Sequence, residues 1–150
     1  MGCKNSSLSA ATYSDTPEFT LYGKKCHVKI LNVCNGDTIW IAINLYNKIL
    51  KFKVHMVGYY SPELSPRQNK PNRDSEIIAA QAAKQYLESL VLGKIVNAHF
   101  FDYYKDGLLL CNLYIADPIK SNIPSPNKVC VNTLMVRNNH GYTYMGAKKH

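Results

Sequence analysis

The feature of this sequence that most limits its fold is a set of three β-type runs followed by one long helical run. Residues 24–37, KKCHVKILNVCNGD, alternate polar and apolar side chains and end in a turn at Asn35-Gly36. The run TIWIAINLY (38–46) follows, then a turn at Asn47-Lys48, and then ILKFKVHMVGYY (49–60). Tight turns between such runs predict a three-stranded antiparallel meander.

A loop and a helix separate this meander from the rest of the chain. Residues 61–74, SPELSPRQNKPNRD, contain prolines at three positions and predict a loop. The next segment, SEIIAAQAAKQYLESLVL, predicts a helix that is capped by Asp74 or Ser75 and ended by Gly93. Its expected apolar stripe comprises Ala79, Ala83, Tyr86, Leu87, Leu90 and Val91.

The remaining segments complete a recognisable architecture. KIVNAHFFDYY and LLLCNLYIAD predict two strands around a turn at Lys105-Asp106-Gly107, and VCVNTLMVRNN predicts a short helix. Three strands, a helix, two strands and a helix follow the plan of an OB-fold. We therefore expect a mainly β (α+β) fold: a five-stranded antiparallel barrel with a helix after strand 3 and a short C-terminal helix. The barrel domain is expected over 23–150, with 1–22 as a flexible tether.

Charge indicates which partners such a domain favours. The 150 residues carry 18 Lys and Arg against 10 Asp and Glu, for a formal net charge of +8. This balance favours a polyanion, either nucleic acid or an anionic membrane face, although excess lysine also serves solubility alone. The five cysteines are widely spaced and form no C-x-x-C pair, which argues against a zinc site or a disulfide framework and suits a reducing compartment.

The first six residues, MGCKNS, fit the pattern for N-myristoylation, with Gly2 as the acceptor and Ser6 at the required position. Cys3 is a natural site for a second, thioester-linked chain, and two chains anchor a protein where one binds only marginally. The expected localisation is therefore intracellular, on the cytoplasmic face of a membrane, with association with a virion as a variant. The alternative is an unmodified tail.

Several blocks in order resemble the staphylococcal nuclease (thermonuclease-like) family. They are NGDTIWI (35–41), VGYYSPE (57–63), the helical AAKQYL, GKIVNAHFFDYYKDGLLLCNLYI (93–115) and VNTLMVRNNHGYTYMGAKK (131–149). The resemblance covers about residues 24–149. It implies an OB-fold phosphodiesterase that cuts DNA or RNA with one calcium ion, two metal-binding aspartates, a glutamate assigned as general base and two phosphate-contacting arginines.

Carried over by position, the resemblance retains two of these five groups. Asp37 is kept as one metal ligand, and Glu63 is kept at the general-base position. The second metal aspartate is replaced by Tyr60, and the two arginines are replaced by His55 and Leu108. Tyr60 is a poor calcium ligand and Leu108 cannot contact a phosphate, while loss of one such arginine costs on the order of 10³–10⁵ in rate.

Other positions match the places where the family contacts its nucleotide. They are Lys105, Tyr142 and Tyr144, and Lys53 shares its strand face with His55. We therefore expect a catalytically inactive or strongly impaired domain, held at a membrane by acylation, that binds nucleic acid or a protein partner. Single-stranded nucleic acid would stack on tyrosines, with Tyr103 and Tyr104 as further candidates.

Two alternatives remain open at this level. One is an active calcium-dependent nuclease with a rearranged site, in which Asp74, Asp106 or Glu76 supplies a ligand and Lys53, Lys105 or Arg67 replaces a guanidinium. The other is a structural protein, such as a virion component. No cofactor is expected, with calcium at Asp37 as the alternative. Asp37 could equally be only a turn residue, and Glu63 only a loop carboxylate. His55 is a catalytic candidate that could contribute a protonated imidazolium at acidic pH, but we expect it to be a solvated strand residue.

Overall fold

The computed structural model of the protein describes residues 5–103, 107–117 and 128–143. Within them the chain forms three helices, α1 (Asn5–Ser9), α2 (Arg73–Val91) and α3 (Val131–Arg137). The strands of the described residues are β1 (Lys25–Asn35), β2 (Thr38–Leu45), β3 (Lys48–Met56), β4 (Tyr59–Tyr60), β5 (Ile95–Tyr103), β6 (Leu109–Ala116), β7 (Lys128–Cys130) and β8 (Tyr142–Thr143).

Five of these strands close into a barrel, as the sequence predicts. Their order is β3-β2-β1-β5-β6, and β3 returns to pair with the first residues of β6. The short strand β7 pairs with the last residues of β6, beyond the reach of β3. The closing pair is parallel, with Val54 opposite Leu109 and Met56 opposite Cys111. A ring with an odd number of strands cannot alternate direction all the way round, so one pair has to be parallel. The prediction of an antiparallel barrel did not include this closing pair.

Two tight turns fix the register of the meander. Asn35 pairs with Thr38, so Gly36 and Asp37 form the first turn, one residue after the predicted Asn35-Gly36. A Cβ on Gly36 would come within 2.7 Å of the Ser61 Cβ and 2.8 Å of the Ala83 Cβ, so only glycine lets the turn pack this closely. The second turn is Tyr46-Asn47, one residue before the predicted position, because Leu45 pairs with Lys48.

Helix α2 lies where the sequence predicts it, with differences at its N-terminus. Asn72 precedes the helix in the left-handed region and makes no side-chain cap, so the predicted cap at Asp74 or Ser75 is wrong. Gly93, at φ 75°, follows the helix as predicted. The buried stripe is Ala80, Ala83, Leu87, Leu90 and Val91, whereas Ala79 is exposed and Tyr86 is half-buried. In an alanine-rich turn, periodicity alone does not separate position 79 from position 80.

The barrel interior is filled by aliphatic side chains from all five strands and from α2 and α3. Leu21 joins this core at 3% exposure, so packing into the barrel begins two residues before the predicted domain start. Residues 7–20 are exposed, and α1 lies at the beginning of the segment predicted to be a tether. Among the described helices, none has the length and hydropathy needed to cross a bilayer.

Candidate functional site

Asp37 lies at the centre of the corner where the resemblance places catalysis. Its side chain is buried, and its Oδ2 accepts a hydrogen bond of 2.9 Å from the backbone N–H of Ser61. Its Oδ1 accepts another of 2.9 Å from the Thr38 hydroxyl, while its own N–H donates to Asn35 Oδ1 over 2.9 Å. The carboxylate therefore fastens the β1–β2 turn to the chain that follows β4.

His55 lies directly across the sheet from Thr38 and is buried, at 6% exposure. Its Nδ1 is 3.4 Å from the Thr38 hydroxyl oxygen and 3.7 Å from Asp37 Oδ1. The expectation of a solvated histidine is therefore wrong. The chain after β3 folds back over this face, and the ring of Tyr60 lies with its centroid 6.0 Å from that of His55.

Tyr59 packs against the interior side of this corner. It is 1% exposed, and its hydroxyl donates a hydrogen bond of 2.7 Å to the carbonyl of Gly36. Burial raises the pKa of Tyr59 well above its ordinary 10.0, and the nearby Asp37 carboxylate raises it further. A Cβ on Gly141 would collide with the Tyr59 ring, so the chain after α3 also packs against it. Tyr59 is thus a neutral structural hydroxyl at physiological pH.

Tyr60 and Tyr142 bring together two predicted positions that lie far apart in sequence. They are partners in the short β4–β8 sheet, and their ring centroids are 6.2 Å apart. Tyr142 is 42% exposed, and Tyr60 is half-buried between Tyr142 and His55. The other predicted ligand and modification positions, Gly2, Cys3, Lys105 and Tyr144, lie outside the described residues, as does Tyr104.

Glu63 is exposed in the loop after β4, near Lys70, which is itself paired with Glu76. Lys70 Nζ is 3.9 Å from Glu63 Oε2, and it donates to both carboxylate oxygens of Glu76 over 2.8 and 2.9 Å. The hydrogen bond to Glu76 raises the pKa of Lys70, against a smaller opposing effect of desolvation. Glu76 is therefore engaged with Lys70 in this structure rather than directed at Asp37.

The positions predicted to have lost their arginines differ in environment. Leu108 is half-buried just before β6, and its side chain offers no hydrogen-bond donor.

The cations proposed to replace an arginine lie away from the buried corner. Lys53 is exposed on the outside of β3, on the same strand as His55. Arg67 is exposed in the loop, and Arg73 donates to the carbonyl of Pro66 over 3.1 Å, which pins that loop to the start of α2.

The donor set of this corner does not fit the calcium ion that the resemblance implies. Calcium takes six to eight oxygen ligands, with carboxylates prominent among them. Both oxygens of Asp37 already accept hydrogen bonds, and the second aspartate position holds a phenol at Tyr60. In the ranges 5–103, 107–117 and 128–143, no group of three or more His, Cys, Asp or Glu side chains is arranged to hold a metal ion.

A different surface, which the sequence reasoning largely missed, lies outside β1–β3. We call it the basic face. Trp40 is half-buried at its centre, opposite Lys53, with Lys51 Nζ 5.3 Å from the ring centroid. Lys51 and Lys29 flank Ala42 on either side. The three strands contain no Asp or Glu, and their lysines are Lys25, Lys29, Lys48, Lys51 and Lys53.

The basic face continues into a groove of about 400 Å³ that runs over β1, β5 and β6. Lys25 and His27 line one side, Lys128 lines the other, and the half-buried ring of Tyr114 lies between them. Strand alternation alone could have found the basic face, since Trp40 points away from Ile39 and Ile41, which are fully buried. The exposed side of β2 carries no charged residue, so charge alone does not mark it.

A scan of the sequence against protein-family models and a search of curated proteins each returned no match. The function proposed below therefore depends on the geometry of these two regions and on the resemblance described above.

Proposed function

We propose that the protein is a non-catalytic barrel of the staphylococcal nuclease type that binds single-stranded nucleic acid on its basic face. The observation that supports binding most directly is the placement of Trp40 among Lys29, Lys51 and Lys53 on strands without any acidic residue. OB-folds commonly bind oligonucleotides on the exposed face of strands 2 and 3, which are β2 and β3 in this protein.

The state of the Asp37 corner supports the absence of catalysis. Phosphodiester cleavage needs positive charge at the phosphorane and an activated water. In this corner the aspartate is hydrogen-bonded to Ser61 and Thr38, and His55 is buried at the position of one arginine. Leu108 at the other arginine position supplies no charge. The groups that remain serve the turn rather than a reaction.

The basic face has the two components that single-strand binding requires. Lysines neutralise backbone phosphates and release counterions, which makes the affinity depend on salt. An aromatic face stacks a base for about 1–3 kcal/mol without demanding a particular sequence. Trp40 provides that face, and Tyr142, exposed beside Tyr60, provides a second aromatic surface beyond the His55 corner.

The test uses Trp40, the single tryptophan of the chain, as its own reporter. Titration with oligothymidine should quench its fluorescence, because a stacked base contacts the indole. Inorganic polyphosphate, which has charge but no base, should bind without comparable quenching. A plot of the logarithm of the association constant against the logarithm of the salt concentration should have a slope of about −0.7 for each phosphate contacted.

Charge removal at matched positions separates the basic face from general electrostatic attraction. The double variant Lys51→Gln and Lys53→Gln should weaken oligothymidine binding about tenfold, since two phosphate contacts are lost. The control, Lys84→Gln with Arg137→Gln, removes the same charge on helices α2 and α3 and should change the affinity less than about threefold because distant charges are screened. Equal losses in both variants, or no quenching of Trp40, would contradict the proposal.

The membrane tether remains part of the proposal through Gly2 and Cys3. Mass spectrometry of the N-terminal peptide from the native host should show a myristoyl group on Gly2. An unmodified glycine, or a retained Met1, would remove acylation from the proposal without affecting the basic face.

A further inference from the structure

The tip of the β2–β3 hairpin exposes large apolar side chains at the end of the barrel. Tyr46 is 86% exposed, Ile49 is 69% exposed and Leu50 is 43% exposed. Lys48 lies between them and is also exposed. We call Tyr46, Lys48, Ile49 and Leu50 the hairpin tip. Single exposed apolar residues need no explanation, but three within five positions form a patch that commonly marks an interaction site.

The backbone of the tip makes this composition more unusual. Tyr46 and Asn47 occupy the centre of the two-residue turn with φ of 52° and 65°. Both are left-handed conformations, which asparagine and glycine adopt readily and bulky side chains rarely do. A tyrosine that contributes nothing to the core therefore occupies a position where asparagine would be favoured. A rule of local sequence preference that is broken on an exposed turn points to a role for the side chain itself.

The chemistry of the tip fits the boundary between water and lipid. Tyrosine places an apolar ring at the acyl boundary and its hydroxyl in water, and aliphatic side chains such as Ile49 and Leu50 add buried apolar area. Lys48, at the tip itself, carries a positive charge that an anionic leaflet attracts. The strands that form the hairpin contain no acidic residue to oppose this attraction.

The hairpin tip and the start of β1 lie at the same end of the barrel. Lys29 pairs with Ala42 in antiparallel register, so β1 begins at the end of the barrel where β2 ends and turns into β3. The segment predicted to be acylated therefore joins the barrel at the same end as the hairpin tip. Lys53 and Trp40 lie five residues along β3 from Lys48, about 17 Å away at 3.4 Å per residue.

We propose that the hairpin tip docks the barrel onto an anionic membrane surface, with Tyr46, Ile49 and Leu50 inserted at the acyl boundary. Insertion of about 5–10 Å leaves the Trp40–Lys53 pair in water. This inference goes beyond the proposed nucleic-acid binding and requires no acyl chain. It adds an orientation, in which the basic face stands roughly along the membrane normal and remains accessible to a polyanion.

The experiment uses the full-length chain without acylation and measures its co-sedimentation with vesicles. Vesicles of phosphatidylcholine with phosphatidylserine should bind the protein, and vesicles of phosphatidylcholine alone should bind it more weakly. Tyr46→Asn and Ile49→Thr leave the net charge unchanged, and each should weaken binding to the anionic vesicles about tenfold through lost apolar contact. Their control is Ile78→Thr, at a residue of α2 that is 67% exposed away from the hairpin tip, and this variant should bind as the parent does.

Insertion has a spectroscopic readout that charge attraction alone does not produce. In a Trp40→Phe background, Tyr46→Trp should shift its emission to the blue on addition of anionic vesicles, while Ile78→Trp in the same background should not shift. No vesicle binding, equal losses in the tip and control variants, or an unshifted Tyr46→Trp spectrum would each overturn the inference. A concentration-dependent dimer that Ile49→Thr abolishes, with no vesicle binding, would instead assign the tip to a second copy.

The readouts also separate this inference from the proposed function. Quenching of Trp40 by oligothymidine should be the same in Ile49→Thr as in the parent. Weakened oligothymidine binding by Lys53→Gln with vesicle binding retained, and weakened vesicle binding by Ile49→Thr with quenching retained, would show that the two surfaces act independently.

Discussion

The two ends of the β2–β3 hairpin are opposite in character. At one end Thr38 and His55 face each other in a buried polar corner where Asp37 accepts two hydrogen bonds. At the other end Tyr46 and Ile49 are apolar and lie in solvent. Each end departs from the usual rule, since polar groups are buried at the first and large apolar groups are exposed at the second.

The two ends differ in whether other residues of the protein satisfy these unusual side chains. Buried polar groups are tolerated when they are hydrogen-bonded, and Asp37, Thr38 and Ser61 satisfy one another within the fold. The exposed side chains of the tip find no such cover in the described part of the chain. Asp37, which the resemblance marks as a metal ligand, thus holds the β1–β2 turn to Ser61, whereas the apolar side chains at the other end of the same hairpin stay exposed to solvent.

The largest expected effect is at the buried end. Asp37→Ala should lower the free energy of unfolding by about 3 kcal/mol, because the Ser61 N–H and the Thr38 hydroxyl both lose a charged acceptor in a buried site. Asp37→Asn retains one amide oxygen as an acceptor and should cost clearly less. Urea unfolding with the midpoint and the slope compared across variants is the measurement.

Residues kept for catalysis commonly oppose stability, so their replacement is often neutral or stabilising. A stable Asp37→Ala protein would therefore contradict the structural role of the corner and return Asp37 to the candidate metal ligands.

The next effect is a loss of stability at alkaline pH that depends on Cys111 in the closing β3–β6 pair. Burial raises the pKa of the Cys111 thiol from 9.0 to about 12. The unfolded thiol loses its proton near pH 9 while the folded one keeps it, so the stabilisation is complete below pH 9 and is lost as pH rises toward 12. Cys111→Ala should flatten the fall in stability from pH 9 upward, measured by urea unfolding at each pH.

Tyr59 provides the comparison for this pH dependence. Because its pKa is raised from 10.0, Tyr59→Phe should leave the fall between pH 9 and pH 10 unchanged and alter it only above pH 10. An identical pH profile for Cys111→Ala and the parent would show that the interior of the barrel admits water at this strand pair.

The smallest expected effect is at the exposed end and has the opposite sign. Tyr46→Asn should raise the free energy of unfolding by about 1 kcal/mol, since asparagine adopts the left-handed conformation with less strain. Asn47→Gly, at the neighbouring left-handed position, serves as the control and should change stability by only a few tenths of a kcal/mol. A destabilised Tyr46→Asn protein would mean that the tyrosine supports the fold rather than a partner.

The barrel could be predicted because its information is local. Alternating side chains, turn residues and one amphipathic helix specify the order of elements, and few architectures accommodate that order. The parallel closure through Val54 and Leu109 depends on strands that are distant in sequence, although the odd number of strands already demanded one such pair. The cap of α2 was missed because Asn72 ends the loop in a backbone conformation that no side-chain pattern announces.

The candidate site was harder to predict for the same physical reason. Alternation places the His55 side chain outside the barrel. Whether that side chain is exposed to solvent depends on how the chain after β3 folds back, and in the structure Tyr60 and Ser61 of that chain pack over the corner. Thr38 and Tyr59 belong to the corner through contacts that no spacing rule encodes. The outward position of Trp40 was predictable from alternation, because its neighbours Ile39 and Ile41 are apolar and buried.

The most direct test of the account incubates the full-length protein with a labelled single-stranded oligonucleotide and calcium, and follows anisotropy and strand length in the same samples. We expect a salt-sensitive rise in anisotropy with the strand intact, unchanged by EDTA, because binding uses the basic face and needs no metal. Calcium-dependent cleavage that EDTA stops and Glu63→Gln abolishes would contradict the central claim and establish a working nuclease.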